Sequence, residues 1–441
     1  MRIGIIGAAG RMGWRRAQDL LQLPDTELWV YDVHDRASAG GEGRPGLLDL
    51  YGPLQQQGNR VHIASSNVEV AQNVELLEFE TPVPRTDVAL KEVAQHIPEG
   101  TIVVTNSSAK EIVAKLETEL IPPGRDLVDI HTMYSESLSP TGQVALTVPI
   151  RTTPSGLYVV QQLGSRVGHR LVHNIAEGPT VHDEIMAEVQ GGTHLESVEK
   201  PLAWMLIGTT PDRHPVYQNP LDRIKAQMSL RVLGQNLEVY VVTLLWNLHT
   251  RGYVDDHIGI SRALRHLRDS GQREQLYGIV EGIRAYLDVR GELKEAREIL
   301  AEALEQKILL GDQNSYWSQI VTGEQWRRKN IRPTDNAVYE SGPYKLRRLL
   351  TYAVFAEEPQ RLRRMVDNAI DNPVTNEDDN KYTRAAEIIG RYIRRGVPGT
   401  ANLLTLFRNI KSWYETQGYD FKKVVAETNG IIQRINALTK A

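Results

Sequence analysis

The sequence predicts an α/β fold in which a doubly wound parallel sheet is followed by an all-helical remainder. Three observations carry this. The chain opens on a short β-branched run that stops at a glycine-rich turn and continues as a helix pattern. Apolar runs and amphipathic segments then alternate through roughly the first 178 residues, as parallel-sheet domains require. From Asp183 onward the strand signals stop, and the apolar spacing becomes helical.

The first element is "RIGIIG", Arg2–Gly7, typical of a buried parallel strand. "AAGRMGWRRAQDLLQ" opens a helix directly after it. Gly7, Gly10 and Gly13 give G-x-x-G-x-x-G rather than the strict dinucleotide fingerprint, but the physics is similar. Gly10 lets the backbone approach a pyrophosphate, Gly13 lets the helix pack on the strand, and the helix N-terminus attracts phosphate. "ELWVYDV" is the second strand, and Asp32 falls about 20 residues after the glycines, where an acid takes hydrogen bonds from the adenosine ribose and repels a 2′-phosphate. This favours NAD over NADP; Arg15, Arg16 and Arg36 keep NADP open. Gly7, Gly10, Arg11, Met12, Gly13, Asp32 and the later Pro82 are the expected cofactor contacts in a Rossmann-type domain.

"VELLEFETPVP" is a strand running into Pro82 and Pro84, "TDVALKEVAQHI" a helix, "TIVVTNSSAK" a strand with a polar turn, and "EIVAKLETELI" a helix. "DLVDIHTMY" and then "VALTVPI" are the next strands. Ligands bind beyond the carboxyl ends of such strands. Ser107 and Ser108 follow one of these ends, and His131 follows another. A serine pair before a helix often only caps it, and a histidine ending a strand is often solvated. Together they are also a candidate hydroxyl/imidazole pair for proton handling.

The helical region opens on "TVHDEIMAEVQGGTHLE", Thr180–Glu196. On a regular helix Asp183, Ala187, Gln190 and His194 share a face, with His182, Met186, Val189 and Thr193 beside it. Gly191–Gly192 inside a helix costs stability, which suggests that a backbone or ligand approaches closely there. The spacing does not fit HExxH, so no metal is expected; His182 also fits a satisfied structural histidine. "NPLDRIKAQMSLRVLGQNLEVYVVTLLWNL" reads as one long helix carrying Arg223 and Arg231. Arg231 lies among apolar residues, so it is either a snorkelling surface residue or a carboxylate anchor.

Taken together these motifs resemble the prephenate dehydrogenases of tyrosine biosynthesis, part of aromatic amino acid biosynthesis. "HDEIMAEVQGGTH" is similar to that family's HD-x-x-M-A-x-x-Q-x-x-x-H helix, and "RIKAQMSLRVLGQNLEVY" to its R-L-x-x-Q-x-x-x-Y run. "VVTNSSAKEIV" resembles its T-D-x-x-S-x-K turn, and "HTMY" its H-P-M-F. The resemblance covers roughly residues 1 to 310. It implies that Ser108 hydrogen-bonds the substrate hydroxyl, His131 is the catalytic base, Arg231 binds a substrate carboxylate and His194 is a pocket histidine, with Gln190 and Arg223 beside them. It implies NAD-dependent oxidative decarboxylation of prephenate to 4-hydroxyphenylpyruvate, a homodimer through the middle helices, and the "TVHDE" stretch as a pocket wall. The sequence departs from the family at Thr132 (a proline there), Glu136, Asn106 (an acid there), and Glu78 and Glu80 on a strand that is usually apolar. Glu136 either repels a dianionic substrate or meets an amino group, so arogenate and an aminodeoxy analogue stay open. Two other readings are a β-hydroxyacid or imine reductase and a non-catalytic cofactor-binding regulator.

The expected division is 1–178 dinucleotide-binding, 179–310 helical substrate and dimerisation domain, and 311–441 a helical extension of unknown role. In that last part three long segments read as amphipathic helices, "NIRPTDNAVYESGP" and "DNPVTNEDDN" as linkers, and "KLRR" and "RLRR" as solvated helix faces. It matches neither the alternating strands of an ACT module nor the charged constellation of a chorismate mutase. The totals are compatible with this. The 441 residues carry a net charge of −4, giving no general reason to bind nucleic acid or an anionic membrane. There are no cysteines, which excludes disulfides, zinc–thiolate sites and a cysteine nucleophile. No apolar run is long enough to span a bilayer, and no signal peptide is evident. A small-molecule substrate and a cytoplasmic location are expected.

Overall fold

The structure, a computed structural model, describes residues 1–34 and 45–439. Arg36 lies outside them. The chain divides into two compact units, Met1–Ile185 and Met186–Ala441.

The first unit is one sheet. Its strands are β1 (Arg2–Ile6), β2 (Glu27–Tyr31), β3 (Val61–Ile63), β4 (Leu76–Phe79), β5 (Ile102–Thr105), β6 (Asp126–Thr132), β7 (Val144–Arg151) and β8 (Leu171–Asn174). Between them run α1 (Arg11–Leu21), α2 (Leu47–Gln56), α3 (Asn67–Asn73), α4 (Val83–Val93), α5 (Lys110–Leu120) and α6 (Pro154–Arg166), followed by α7 (Pro179–Met186). The order is β3-β2-β1-β4-β5-β6-β7-β8. Ile3, Ile5, Leu28, Val30, Val104 and Val128 face one apolar core. Ile6, Leu77, Phe79, Val103 and Leu127 face the other. Side chains alternate along a strand, so burying both sets requires helices on both sides. The direction of chain growth reverses between β1 and β4, which opens a crevice at their carboxyl ends.

The sheet is not wholly parallel. β7 runs antiparallel to β6, with His131 opposite Leu146 and Thr132 opposite Ala145. The turn between these strands holds no helix, and a parallel pair needs a long crossover. The short strands β3 and β8 were not read from the sequence.

The second unit is helical: α8 (Gly192–Ile207), α9 (Pro220–Leu233), α10 (Leu237–Trp246), α11 (Thr250–Asp269), α12 (Arg273–Leu287), α13 (Glu292–Ala303), α14 (Trp317–Arg328), α15 (Gly342–Phe355), α16 (Pro359–Asp371), α17 (Pro373–Ile393), α18 (Thr400–Thr416) and α19 (Phe421–Leu438). Residues 311–441 belong to the same unit as 186–310. α17 packs along α8 and α11, α19 along α9, and α15 along α13.

Three local expectations change. A π-turn, Ala187–Gly191, precedes α8, so the faces counted at 100° per residue do not carry through it. The long helix breaks into α9 and α10 at Gly234, where a Cβ would meet the Val425 side chain at 2.7 Å and the Phe421 carbonyl at 3.0 Å. "DNPVTNEDDN" is not a linker: Asn372 caps α17 by accepting from Val374 N, and Pro373 occupies its first position.

Candidate functional site

The glycine turn is built as its spacing requires. Gly7 has φ +88°, and a Cβ there would lie 2.7 Å from the Glu80 carbonyl oxygen. A Cβ at Gly13 would lie 2.2 Å from the Gly7 carbonyl oxygen, and one at Gly10 3.0 Å from it. Gly10 begins α1 with no side chain capping it, so first-turn amides are presented bare, an arrangement that takes a phosphate. Arg11 and Met12 are the first helical residues. Asp32 follows β2; its carboxylate accepts from Ala9 N at 2.9 Å and from His34 N at 3.0 Å, which ties the turn to the acid. Pro82 caps the start of α4 beside the end of β4. Of the arginines that kept NADP open, Arg15 pairs with Asp19 at 2.8 Å. Arg16 is buried in a two-bond pair with Glu78, at 2.8 and 2.7 Å. That pair accounts for Glu78 on an otherwise apolar strand.

Glu80 is explained by a second departure. The Asn106 amide donates to both Glu80 oxygens at 3.1 Å, and its carbonyl oxygen accepts from Thr132 N at 3.2 Å. The acid expected at position 106 has thus moved to the neighbouring strand end. Burial first, then Glu78, pushes the Glu80 carboxyl up to about 8. Glu136 pairs with Arg11 at 3.3 Å.

His131 closes β6 and is buried. Its Nδ1 lies 3.0 Å from His182 Nε2, and His182 Nδ1 lies 2.8 Å from Asp183 Oδ1. Asp183 also accepts from Lys110 N at 2.8 and 3.1 Å and from Glu111 N at 3.0 Å, so its carboxylate sits on the N-terminus of α5. The contacts fix the tautomers. A carboxylate only accepts, so His182 carries its proton on Nδ1 and accepts at Nε2. His131 must then donate from Nδ1, which leaves Nε2 as its acceptor nitrogen, the form a general base needs. Burial, only partly offset by Asp183, holds the His182 pKa down, so the ring stays neutral.

Ser108 stands half-buried in the turn between β5 and α5. Lys110 begins α5 and is fully buried. Its ammonium donates to the Thr105 carbonyl at 2.9 Å and the Ile130 carbonyl at 2.5 Å, and lies 3.5 Å from Asp129. It pins the ends of β5 and β6, the strand ends that carry Ser108 and His131. Sequence reasoning quoted Lys110 within the "SSAK" turn and gave it no role.

In the second unit, Gln190 lies in the π-turn, His194 in the first turn of α8 and Arg231 in the last turn of α9. The His194 ring packs edge-on against Tyr240, with centroids 4.4 Å apart. Burial first, then Arg231, pushes His194 down to about 3, so it is neutral. Its Nδ1 is buried and makes no hydrogen bond among the described residues. Arg231 is buried and donates from Nε to Asn429 at 2.9 Å. Gln190 hydrogen-bonds the buried phenol of Tyr344. Arg223 lies two turns earlier on α9, half-buried. Asn429 and Tyr344 were missed because no pattern in a helix names a partner two hundred residues away. Gly191 and Gly192 face neighbouring side chains rather than a backbone or ligand: Cβ atoms there would lie 3.1 Å from Thr250 and 2.7 Å from the Tyr253 hydroxyl. Among the described residues no group of three or more His, Asp or Glu side chains is arranged to hold a metal, and no helix is long and apolar enough to cross a membrane.

Comparison with known proteins agrees with this architecture. A family described as a 6-phosphogluconate dehydrogenase C-terminal domain, in the variant named for tyrosine, matches residues 191–436. A Methanocaldococcus jannaschii protein named "probable arogenate/prephenate dehydrogenase" is 23% identical over 225 residues, 50% of each chain. A Schizosaccharomyces pombe protein named "probable prephenate dehydrogenase [NADP(+)]" is 20% identical over 257 residues, 56% of this chain and 58% of that one. The matches thus span about half the length of these relatives. Among solved structures, prephenate dehydrogenase from Aquifex aeolicus with hydroxyphenyl propionate and NAD+ is 17% identical, covering 62% of this chain and 92% of that one, with a TM-score of 0.44. With that C-terminal domain family matched over more than half its length, and with prephenate and arogenate dehydrogenases among its relatives, the chain belongs to the prephenate dehydrogenase family.

Proposed function

We propose that the protein catalyses the NAD-dependent oxidative decarboxylation of prephenate to 4-hydroxyphenylpyruvate. The observation that carries this reading is the Asp183–His182–His131 hydrogen-bonded series, which leaves His131 Nε2 as an acceptor at the end of β6. A cyclohexadienol can be oxidised only as its hydroxyl proton leaves, and a neutral imidazole with a fixed tautomer is suited to take it. Nicotinamide, when bound, takes up the hydride from the ring carbon that bears this hydroxyl. His131 Nε2 accepts the proton and Ser108 orients the hydroxyl. As the ring carbon becomes carbonyl-like, the ring carboxylate is lost as CO₂ and the ring aromatises. Arg231 binds a carboxylate, and the neutral His194 beside it gives a hydrogen bond without competing for the anion.

Gly7, Gly10, Arg11, Met12, Gly13, Asp32 and Pro82 are proposed to hold the cofactor. Asp32 supports NAD over NADP, and so does the commitment of Arg15 and Arg16 to carboxylates. Prephenate is favoured over arogenate because Glu136, the acid best placed by sequence to meet an amine, already pairs with Arg11. A homodimer is proposed through faces other than α8, which is buried in its own unit.

The test is nicotinamide reduction by purified protein offered prephenate or arogenate, each with NAD or NADP. Turnover with prephenate and NAD is expected. Turnover with arogenate alone changes the substrate. If no combination turns over while NAD still binds, the regulator reading stands instead.

A further inference from the structure

The residues past 310 have no role in the resemblance, yet they reach into the group of residues around Arg231. Asn429, in the middle of α19, accepts the Arg231 Nε–H through Oδ1 at 2.9 Å and is itself buried. Tyr344, in the first turn of α15, receives the Gln190 side chain against its buried hydroxyl. The same group contains His194 Nδ1, a fully buried polar atom without a hydrogen bond among the described residues. A buried, unsatisfied imidazole nitrogen costs stability unless something else meets it. Beside a buried guanidinium, the missing partner is an anion or a polar group next to one.

We propose that the C-terminal third completes the carboxylate-binding half of the site, with Asn429 a positioning residue for Arg231 and Tyr344 one for Gln190. This rests on the reading of Arg231 as the substrate's carboxylate anchor. The chemistry is directional. A guanidinium is a planar fork of N–H donors, and a carboxylate is gripped well only when that plane is fixed. Asn429 is neutral and accepts one donor, so it holds the plane without cancelling the charge. An aspartate at the same position would be a competing carboxylate, permanently present in the chain. Tyr344 stops the Gln190 amide from swinging at the π-turn that leads to His194.

The experiment is binding of 4-hydroxyphenylpyruvate to the full-length protein with NAD, measured by calorimetry, so that it does not depend on turnover. NAD affinity and thermal melting are followed in parallel. Arg231→Ala is expected to weaken binding about 100-fold, the range for a hydrogen-bonded charge pair. Asn429→Asp is expected to match it, and Asn429→Ala to lose about 10-fold, while NAD affinity is unchanged. Tyr344→Phe, which removes one oxygen, is expected to weaken binding about fivefold. If Arg231→Ala binds like the unaltered protein, the anchor reading fails and this proposal falls with it. If Arg231→Ala weakens binding but Asn429→Asp does not, the anchor stands and the role of the C-terminal third is overturned. Should the charged variant not fold, Asn429→Gln and Tyr344→Phe decide alone, and unchanged affinity in both overturns the proposal.

Discussion

At the scale of single residues, the sequence identified His131 and not what directs it. His182 and Asp183 are adjacent in sequence and read equally well as a structural histidine with its neighbour. Their use depends on β6 and α7 coming together. Only then does Asp183 reach the amides of Lys110 and Glu111 and hold His182 against His131. Asp183→Asn can still accept from the α5 amides, but its amide no longer demands a proton on His182 Nδ1. The wrong tautomer at His182 then propagates to His131. Turnover is expected to fall by about 10² to 10⁴, as when a carboxylate orienting a catalytic histidine becomes an amide, with NAD affinity and melting temperature nearly unchanged. An equal loss of melting temperature would make Asp183 a helix cap and nothing more. Glu80 allows a second prediction, about pH. Its folded pKa, about 8, lies above the ordinary value of 4.5, so its stabilising contribution is complete below 4.5 and is lost as pH rises through 8. Across that window the loss is at most about 1.4 kcal/mol per pH unit. Glu80→Gln keeps an acceptor for Asn106 and does not ionise. Denaturant unfolding of this variant is expected to show a flatter pH dependence between about 5 and 8, and a slope identical to the unaltered protein would mean Glu80 is charged in the fold.

At the scale of elements, what the sequence made legible depended on the length of the pattern. β1, β2, β4, β5 and β6 have apolar runs closed by turn residues, and all were found. β3 and β8 span Val61–Ile63 and Leu171–Asn174 and are too short to carry a period. The antiparallel β7 was legible in principle, because no helix separates it from β6. The π-turn was not, since it arises from packing: Gly191 and Gly192 admit the Thr250 and Tyr253 side chains of α11. A methyl group at Gly192 would lie 2.8 Å from the Tyr253 ring carbons, and Tyr253 is itself held by Arg347. Gly192→Ala is therefore expected to destabilise the protein by about 1–3 kcal/mol, despite the better helix propensity of alanine. Gly252, in α11 with open space around it, is the control. Gly252→Ala is expected to stabilise by up to about 1 kcal/mol. Thermal melts that rank the two variants the other way would remove the close-packing account of the double glycine.

At the scale of the whole molecule, the sequence suggested three parts where the contacts define two units, because amphipathic helices announce that they pack but not on what. "KLRR" illustrates this. Read as a solvated face, it instead buries Lys345 and Arg347. Arg347 pairs with Glu196 and lies 3.6 Å from Glu188, and Thr322 donates to Glu196 at 2.7 Å. Trp326 donates to Glu188 at 2.8 Å. Both glutamates belong to the segment that leads into and forms α8, and every one of these partners lies past residue 310. A chain ending at Leu310 would leave Glu188 and Glu196 without their cation, and α8, α9 and α11 without α17 and α19. Removing one partner of a buried ion pair costs about 3–5 kcal/mol by itself, a large part of a domain's whole stability. Such a chain is expected to keep one cooperative calorimetric transition, from Met1–Ile185, and to lose that of the helical unit. If residues 311–441 were an appendage, both transitions would survive the truncation. Reintroducing residues 311–441 as a separate polypeptide should then restore the second transition, since the missing helices supply the charges and apolar faces that residues 186–310 lack.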